Sequence, residues 1–407
     1  MTNTLPIAFG LVALASGIAG LAGCGSTPAS GLEPSRSAEA KATPTPTPSN
    51  KNSITIAAVG DIMLGSPFPN DTRMPPNDGR DLLKDVKPLL SAADIAFGNL
   101  EAPMTDGGES AKCRPRKPAK PVKPTVPIEP IEPVNVNKPN KPKPDEPIRC
   151  YAFRMPTRYG KYLQEAGFDV LSLANNHSLD FGLAGIADTR ETLDALGLKH
   201  AGSNRLKHST AYLEVKGLTV AFIGFAHNTI VPNVNDLVAA RRLVTEADKK
   251  ADIVVVSFHG GAEGTGSQMV PNRTEMYFGE KRGNLPLFSR TVIDAGADLV
   301  LGHGPHVLRG IELYKGRLIA YSLGNFATYG WFRLEAELAL TMILEAELDR
   351  DGRFIAGKIH AGRQEGRGIP VLDPTGEAIR KVRTLSLNNF GPTAPNISET
   401  GTITPKL

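Results

Sequence analysis

Four short polar clusters, each placed where an apolar run ends, constrain this chain more than any other feature: Val59-Gly60-Asp61, Asn175-Asn176-His177, Phe258-His259-Gly260-Gly261 and Gly302-His303-Gly304-Pro305-His306. The preceding runs are Ile54 to Val59, Val170 to Ala174, Ile253 to Ser257 and Leu299 to Leu301, short and rich in β-branched residues as buried parallel strands are. Parallel strands deliver their C-terminal ends to one edge of a sheet, so four of the eight histidines fall where an open α/β sheet builds its binding crevice. Imidazole, carboxylate and amide oxygen together make a borderline ligand set for divalent transition metals.

The segments between the clusters predict alternating helices and strands. Tyr159 to Ala166, Ala184 to Leu196, Asp236 to Lys250 and Leu285 to Ala295 read as helices, with Gly197 suited to a C-cap. Ala211 to Val215 and Leu218 to Phe225 flank Lys216-Gly217 as a hairpin, and Glu312 to Tyr314 with Arg317 to Ser322 repeat the pattern around Lys315-Gly316. The expected fold class is α/β, a layered sandwich in which two mixed sheets face each other between helices.

Two stretches do not belong to that pattern. Residues 5 to 22 are small and apolar and end in Leu21-Ala22-Gly23-Cys24, which resembles a lipoprotein signal with Cys24 as the lipidated first residue, although no Lys or Arg precedes Arg36. Residues 25 to 52 are rich in Ser, Thr and Pro and read as an extended tether. The expectation is an exported protein, lipid-anchored to the cell membrane or envelope. The second stretch, 111 to 150, interrupts the domain expected over 53 to 395, with 396 to 407 as a tail. Prolines at 115, 118, 121, 124, 127, 130 and 133 keep the three-residue period of polyproline II, and Lys117, Lys120 and Lys123 share another edge. Cys113 and Cys150 bracket the insert, and a bridge between them would close it at its base in an oxidising compartment.

The insert also explains the net charge of +4: it holds ten basic and four acidic residues, so the remainder carries −2. Without interleaved aromatics to stack bases, this charge does not imply nucleic acid. An anionic capsule or wall polymer is the expected partner, besides the membrane reached through the N-terminal lipid.

Within the clusters, Asp61 would project from a tight turn after its strand, either as a helix cap or as a ligand. Glu101, in Phe97-Gly98-Asn99-Leu100-Glu101, has the same two readings, and together they could neutralise a divalent pair. Asn176 offers a carbonyl ligand, while His177, pointing elsewhere, could protonate a leaving group. His259 is followed by two glycines that permit close approach, and His303 and His306 place two imidazoles on one loop.

These motifs, with Asn99-Leu100-Glu101 and Tyr321-Ser322-Leu323-Gly324-Asn325-Phe326, resemble the CapA capsule-synthesis family, the poly-γ-glutamate branch of the calcineurin-like metallophosphoesterases, over roughly residues 53 to 330. The resemblance implies a four-layer α/β/β/α sandwich of the metallo-dependent phosphatase type with two divalent ions (Mn, Fe or Zn). Asp61 would bind the first, Glu101 or Asn99 would bridge, Asn176 and His259 would bind the second, His303 and His306 would complete the pair, and His177 would be the general acid. Two departures stand out. Asp61-Ile62-Met63 replaces the superfamily's Asp-x-His, and Met63 is a poor ligand for a hard ion. Gly304-Pro305 also lengthens the final Gly-His-x-His motif by one residue. Two functions follow: a metal-dependent, phosphoesterase-like hydrolase in capsule or poly-γ-glutamate biosynthesis and export, or a non-catalytic polymer-binding assembly factor with a vestigial metal site.

Overall fold

The computed structural model describes residues 53–113, 150–202 and 210–406; Cys24, the tether and positions 114–149 of the insert lie outside them. In chain order, β1 (Ser53–Met63), α1 (Lys87–Leu90), β2 (Ile95–Leu100), α2 (Gly160–Ala166), β3 (Val170–Ser172), α3 (Gly182–Ala195) and β4 (Lys199–Ala201) form the first half. Then come β5 (Thr210–Val215), β6 (Leu218–Ala226), α4 (Leu237–Asp248), β7 (Ile253–His259) and a ribbon of β8 (Glu275–Tyr277) and β9 (Glu280–Gly283). They are followed by α5 (Leu285–Ile293), β10 (Leu299–His303), β11 (Ile311–Tyr314), β12 (Arg317–Ala320) and β13 (Asn325–Thr328). The chain closes with β14 (Leu340–Asp349), β15 (Phe354–Glu365), β16 (Ile369–Leu372), α6 (Glu377–Phe390), β17 (Asn396–Ile397) and β18 (Thr402–Thr404).

Local chemistry sets many of these boundaries. Lys216 and Gly217, like Lys315 and Gly316, all adopt positive φ, so both hairpins turn with the twist that suits two-residue loops. Asp236 and Asn284 cap α4 and α5 by accepting from the amides of Ala239 and Leu287 at 3.0 and 3.2 Å. Gly167, in the left-handed region, ends α2.

The strands form a ten-stranded sheet ordered β17-β18-β15-β14-β1-β2-β3-β4, with β13 beside β1 and β16 beside β15, and a six-stranded sheet ordered β11-β12-β10-β7-β6-β5. Alternation along the strands divides their side chains between layers. From β1, Ile54, Ile56 and Ala58 enter a core shared with Val220, Phe222, Val255 and Leu299 of the second sheet, whereas Ala57 and Val59 face the opposite side with Leu163 of α2 and Leu193 of α3. From β7, Val254, Val256 and Phe258 face outward onto Val244 of α4 and Phe288 of α5. The result is the expected four-layer α/β/β/α sandwich.

Three expectations need correction. The polar clusters do not share one sheet edge: those after β1 and β3 belong to the large sheet, and those after β7 and β10 to the small one. Asp61 lies inside β1 and not in a turn, because β1 continues to Met63 in parallel pairing with β13 after a register shift at Asp61. Its approach to β13 requires glycine at 60, where a Cβ would meet the Gly324 carbonyl oxygen at 1.9 Å. Finally, residues 396 to 404 are no loose tail, since β17 and β18 pair with each other and β18 extends the large sheet from β15.

Candidate metal centre

Strand register brings the polar residues into two facing rows. On the large sheet Asp61 lies opposite Asn99 of β2 and Asn325 of β13; on the small sheet His303, ending β10, lies opposite His259, ending β7. Pleated neighbours in register present side chains to the same face. Both rows are fully buried.

Asp61 is the hub. Its Oδ1 accepts from Asn99 Nδ2 at 2.8 Å, its Oδ2 lies 3.0 Å from His306 Nδ1, and His303 Nδ1 approaches Oδ1 at 3.4 Å. Burial alone would raise this carboxyl, but His303 and His306 hold it well below the usual carboxylate range. His306 sits at φ 59 in the left-handed region, a strained backbone for a residue with a Cβ, and Asn325 Oδ1 meets its Nδ1 at 3.1 Å. Burial opposes protonation of His306, yet Glu101, Asp61 and Glu263 together push it up to about 10.

Glu101 follows β2, with its amide bonded to the Ile62 carbonyl. Its Oε1 stands 3.7 Å from His259 Nε2 and 3.6 Å from His306 Nε2, and neither carboxylate oxygen has a hydrogen-bond partner. Burial and the charge of Asp61 push its carboxyl far up, while burial pushes His259 far down. The His306 imidazole 3.6 Å away opposes that rise without cancelling it.

The chemistry of the donor set fits a cation. Ligand atoms of Asp61, Glu101 and His306 all lie within 4.8 Å of one another. Beside them, Glu101 Oε1 and Oε2, His259 Nε2 and both His303 nitrogens are buried without hydrogen bonds, as is Asn176 Oδ1 in the loop after β3. Orphaned polar atoms of this kind are rare in a protein interior, and every one of these atoms belongs to a metal-ligand type.

Of the sequence-predicted residues, Asp61, Glu101, His259, His303 and His306 are joined by these contacts. Asn176 lies in the loop after β3, next to Asn175, whose Nδ2 donates to Asn99 Oδ1 and the Leu100 carbonyl at 3.2 and 2.9 Å. Asn99, offered as an alternative bridge, uses both ends of its amide to connect Asp61 with Asn175. His177 occupies a neighbouring pocket, with Nδ1 2.7 Å from Asp180 Oδ2 and its ring stacked on Phe153 at 4.0 Å. Phe332, which contacts both Phe153 and the His306 ring, links the pocket to the centre. Met63 packs in the apolar core beneath the large sheet, with Phe326 and Leu82, so this position contributes packing and no ligand. A disulfide joins Cys113 and Cys150.

Two residues of the centre escaped the sequence reading. His227 directly follows β6, a strand-end signal like the others, and its ring lies 6.1 Å from that of His259; burial and Arg282 lower it to about 4. Glu263 reaches within 4.0 Å of His306 from a loop without a recognisable motif.

The comparisons agree with these motifs. The family model described as bacterial capsule synthesis protein PGA_cap matches residues 55–126 and 113–329. The PGA biosynthesis protein CapA of Bacillus subtilis is 29% identical over 346 residues, covering 81% of this chain and 74% of that protein. The capsule biosynthesis protein CapA of Bacillus anthracis is 31% identical over 229 residues, covering 52% of each. A 5'-nucleotidase precursor from Thermus thermophilus aligns in structure over 50% of this chain and 40% of its own, at 17% identity and a TM-score of 0.32, which adds nothing to the family relationship. With its motifs in order and the family model matched over more than half of its length, the chain belongs to the bacterial capsule synthesis protein family PGA_cap.

Proposed function

We propose that this protein acts in the biosynthesis or export of an anionic capsule polymer of the poly-γ-glutamate type, anchored to the envelope through a lipid on Cys24, with a dinuclear divalent metal centre that hydrolyses a phosphoester or amide bond. The observation that carries this reading is the convergence of unsatisfied buried ligand atoms from Glu101, His259 and His303 around the Asp61 and His306 pair. Asp61, Glu101, His303 and His306 would hold one ion and Glu101, Asn176 and His259 the other, with Mn, Fe and Zn all compatible with the ligands. Such ions supply Lewis-acid polarisation of the scissile group and an acidified water.

The chain's own residues perform the rest. Asn99 and Asn325 fix the Asp61 carboxylate and the His306 ring by hydrogen bonds, so neither reorients when substrate enters. A carboxylate only accepts, so the His177 Nδ1–H donates to Asp180, leaving the Nε2 lone pair to take up a proton from solvent and pass it to the leaving group. Phe332 and Phe153 cover the imidazoles of His306 and His177 and exclude water from that side. No helix among the described residues is long and apolar enough to cross a membrane.

The buried position of Met63 favours a second reading, a polymer-binding assembly factor that retains part of the metal site. Metal analysis of residues 53 to 407 purified without chelator, beside His259→Ala and His306→Ala, separates the two. Close to two ions per chain, reduced in both variants, with phosphoester or γ-glutamyl hydrolysis lost in His177→Ala, supports the hydrolase. One ion or none, with anionic polymer still co-sedimenting, supports the binding factor.

A further inference from the structure

Asp180, the partner of His177, is enclosed by two chain arms that meet at the disulfide. From the arm before Cys113, the Ala111 amide and the Ser110 hydroxyl donate to the Asp180 carbonyl at 2.8 and 3.2 Å. The same Ser110 oxygen accepts from the amides of Lys112 and Cys113 at 3.2 and 2.9 Å. From the arm after Cys150, the Phe153 amide donates to Asp180 Oδ2 at 2.7 Å.

Each arm also carries a side chain onto His177 itself. Phe153 stacks on the ring face at 4.0 Å and 24°. The Lys112 ammonium lies 3.3 Å from both Asp180 Oδ1 and His177 Nδ1. Because Nδ1 already donates to Asp180, an ammonium beside it has no lone pair to bond and must pair with the carboxylate, which holds Asp180 in place. Edge and face of His177 are thus set by residues one and three positions from the bridged cysteines. The bridge is reachable from solvent, since Cys150 is exposed and Cys113 half-buried.

We propose that the Cys113–Cys150 disulfide is a positioning clip for His177: by fastening the arms 110–113 and 150–153 around Asp180, it fixes the tautomer and ring orientation that leave Nε2 free. The clip acts through Asp180, Lys112 and Phe153 and touches no reacting group, so these are positioning residues. Its importance for turnover rests on the proposed role of His177, whereas its effect on the imidazole does not.

The test reads the imidazole directly, by nitrogen-detected NMR of histidine-labelled protein with His177→Gln for assignment and metal content measured on the same samples. In the unmodified chain, His177 should appear as a single tautomer protonated at Nδ1, with a slowly exchanging ring proton. In Cys113→Ser/Cys150→Ser the Nδ1 proton should exchange at least ten-fold faster and both tautomers should appear, with metal content unchanged. Replacing 114–149 by a short Gly/Ser linker, cysteines kept, should leave the His177 signals as they were, which assigns the effect to the clip and not to the insert. Unchanged His177 signals in the double serine variant would overturn the proposal. Should that variant fail to fold, Lys112→Met and Phe153→Leu carry the same test: broadened or doubled His177 signals support the clip, and an unaltered single tautomer in both overturns it. Loss of metal from the unmodified protein would count against the proposed metal centre alone.

Discussion

Two buried charged clusters lie side by side in this molecule and are finished to very different degrees. Arg309, fully buried, donates from Nη1 and Nη2 to the two oxygens of Glu275 at 2.9 and 2.8 Å, and from Nε to the Ser267 carbonyl at 2.7 Å. Glu275 also accepts from the Ala262 amide at 3.0 Å, so both partners are satisfied within the chain. Three residues upstream of Arg309, His306 enters the other cluster, where Glu101, His259 and His303 leave buried atoms unpaired. Burial and charge are common to both. Unfilled hydrogen-bonding capacity is what separates a site that needs a ligand from an ion pair that fastens loops. The two are joined in structure, because the Arg309 and Glu275 pair ties the loop after His259 to the loop after His306.

The largest effect expected from this contrast is on Arg309. Arg309→Met leaves Glu275 charged, buried and unpaired, and should lower unfolding free energy by about 3–5 kcal/mol in denaturant titrations, most of it recovered by adding Glu275→Leu. A loss below about 1 kcal/mol would erase the distinction between the clusters. Next comes Glu101→Gln. In chelator this change should leave stability unchanged or slightly raised, because it removes a desolvated carboxyl with no partner. A divalent ion at a hundred times its dissociation constant should stabilise the native chain by about 2.7 kcal/mol and the variant by far less, a difference that thermal melts with and without metal would read. Equal stabilisation of both would remove Glu101 from the centre.

The smallest effect concerns Asp298, a buried carboxylate of intermediate character. It accepts from the Val254 amide at 2.8 Å and pairs with Arg317 Nε at 3.0 Å, yet burial raises it to about 6. A raised carboxyl contributes stability that is fully present below the unfolded value near 3.9 and is lost as pH rises through about 6. Between pH 4 and 6 the native chain should therefore lose about 2 kcal/mol relative to Asp298→Asn. Parallel pH profiles of the two would show that hydrogen bonds have fully offset the desolvation of Asp298.

The residues of the two clusters differ in how legible they were. His259, His303 and Asp61 announce themselves because each follows an apolar β-branched run with a group that a core rejects, and His306 does so by standing three residues from His303. Arg309, in Val307-Leu308-Arg309-Gly310, gives no such signal: an arginine beside apolar residues in a loop is ordinarily solvated, and only its contact with Glu275 makes it internal. Asn99 and Asn325 stood in recognised motifs, but their work in orienting Asp61 and His306 depends on cross-strand register. Met63, read as a weakened ligand, proves to be a core residue because the register shift at Asp61 alters which side chains face the site. Met63 shows how far motif spacing alone could misplace a side chain.

By itself the sequence determined the α/β class, the hairpins at Lys216-Gly217 and Lys315-Gly316, the family and most of the residues at the candidate metal centre. All of these are written in local periodicity and in short motifs at strand ends, where one residue's chemistry suffices. Only the tertiary structure decided that the motifs come from two sheets facing each other, that residues 396 to 404 extend the large one, that Asp61 is joined to Asn99, His303 and His306, and that His177 stands in a pocket of its own closed by Asp180, Lys112 and Phe153. Those facts depend on pairings between residues tens to hundreds of positions apart, and such register is fixed by the packing of whole layers and not by any stretch of chain read alone.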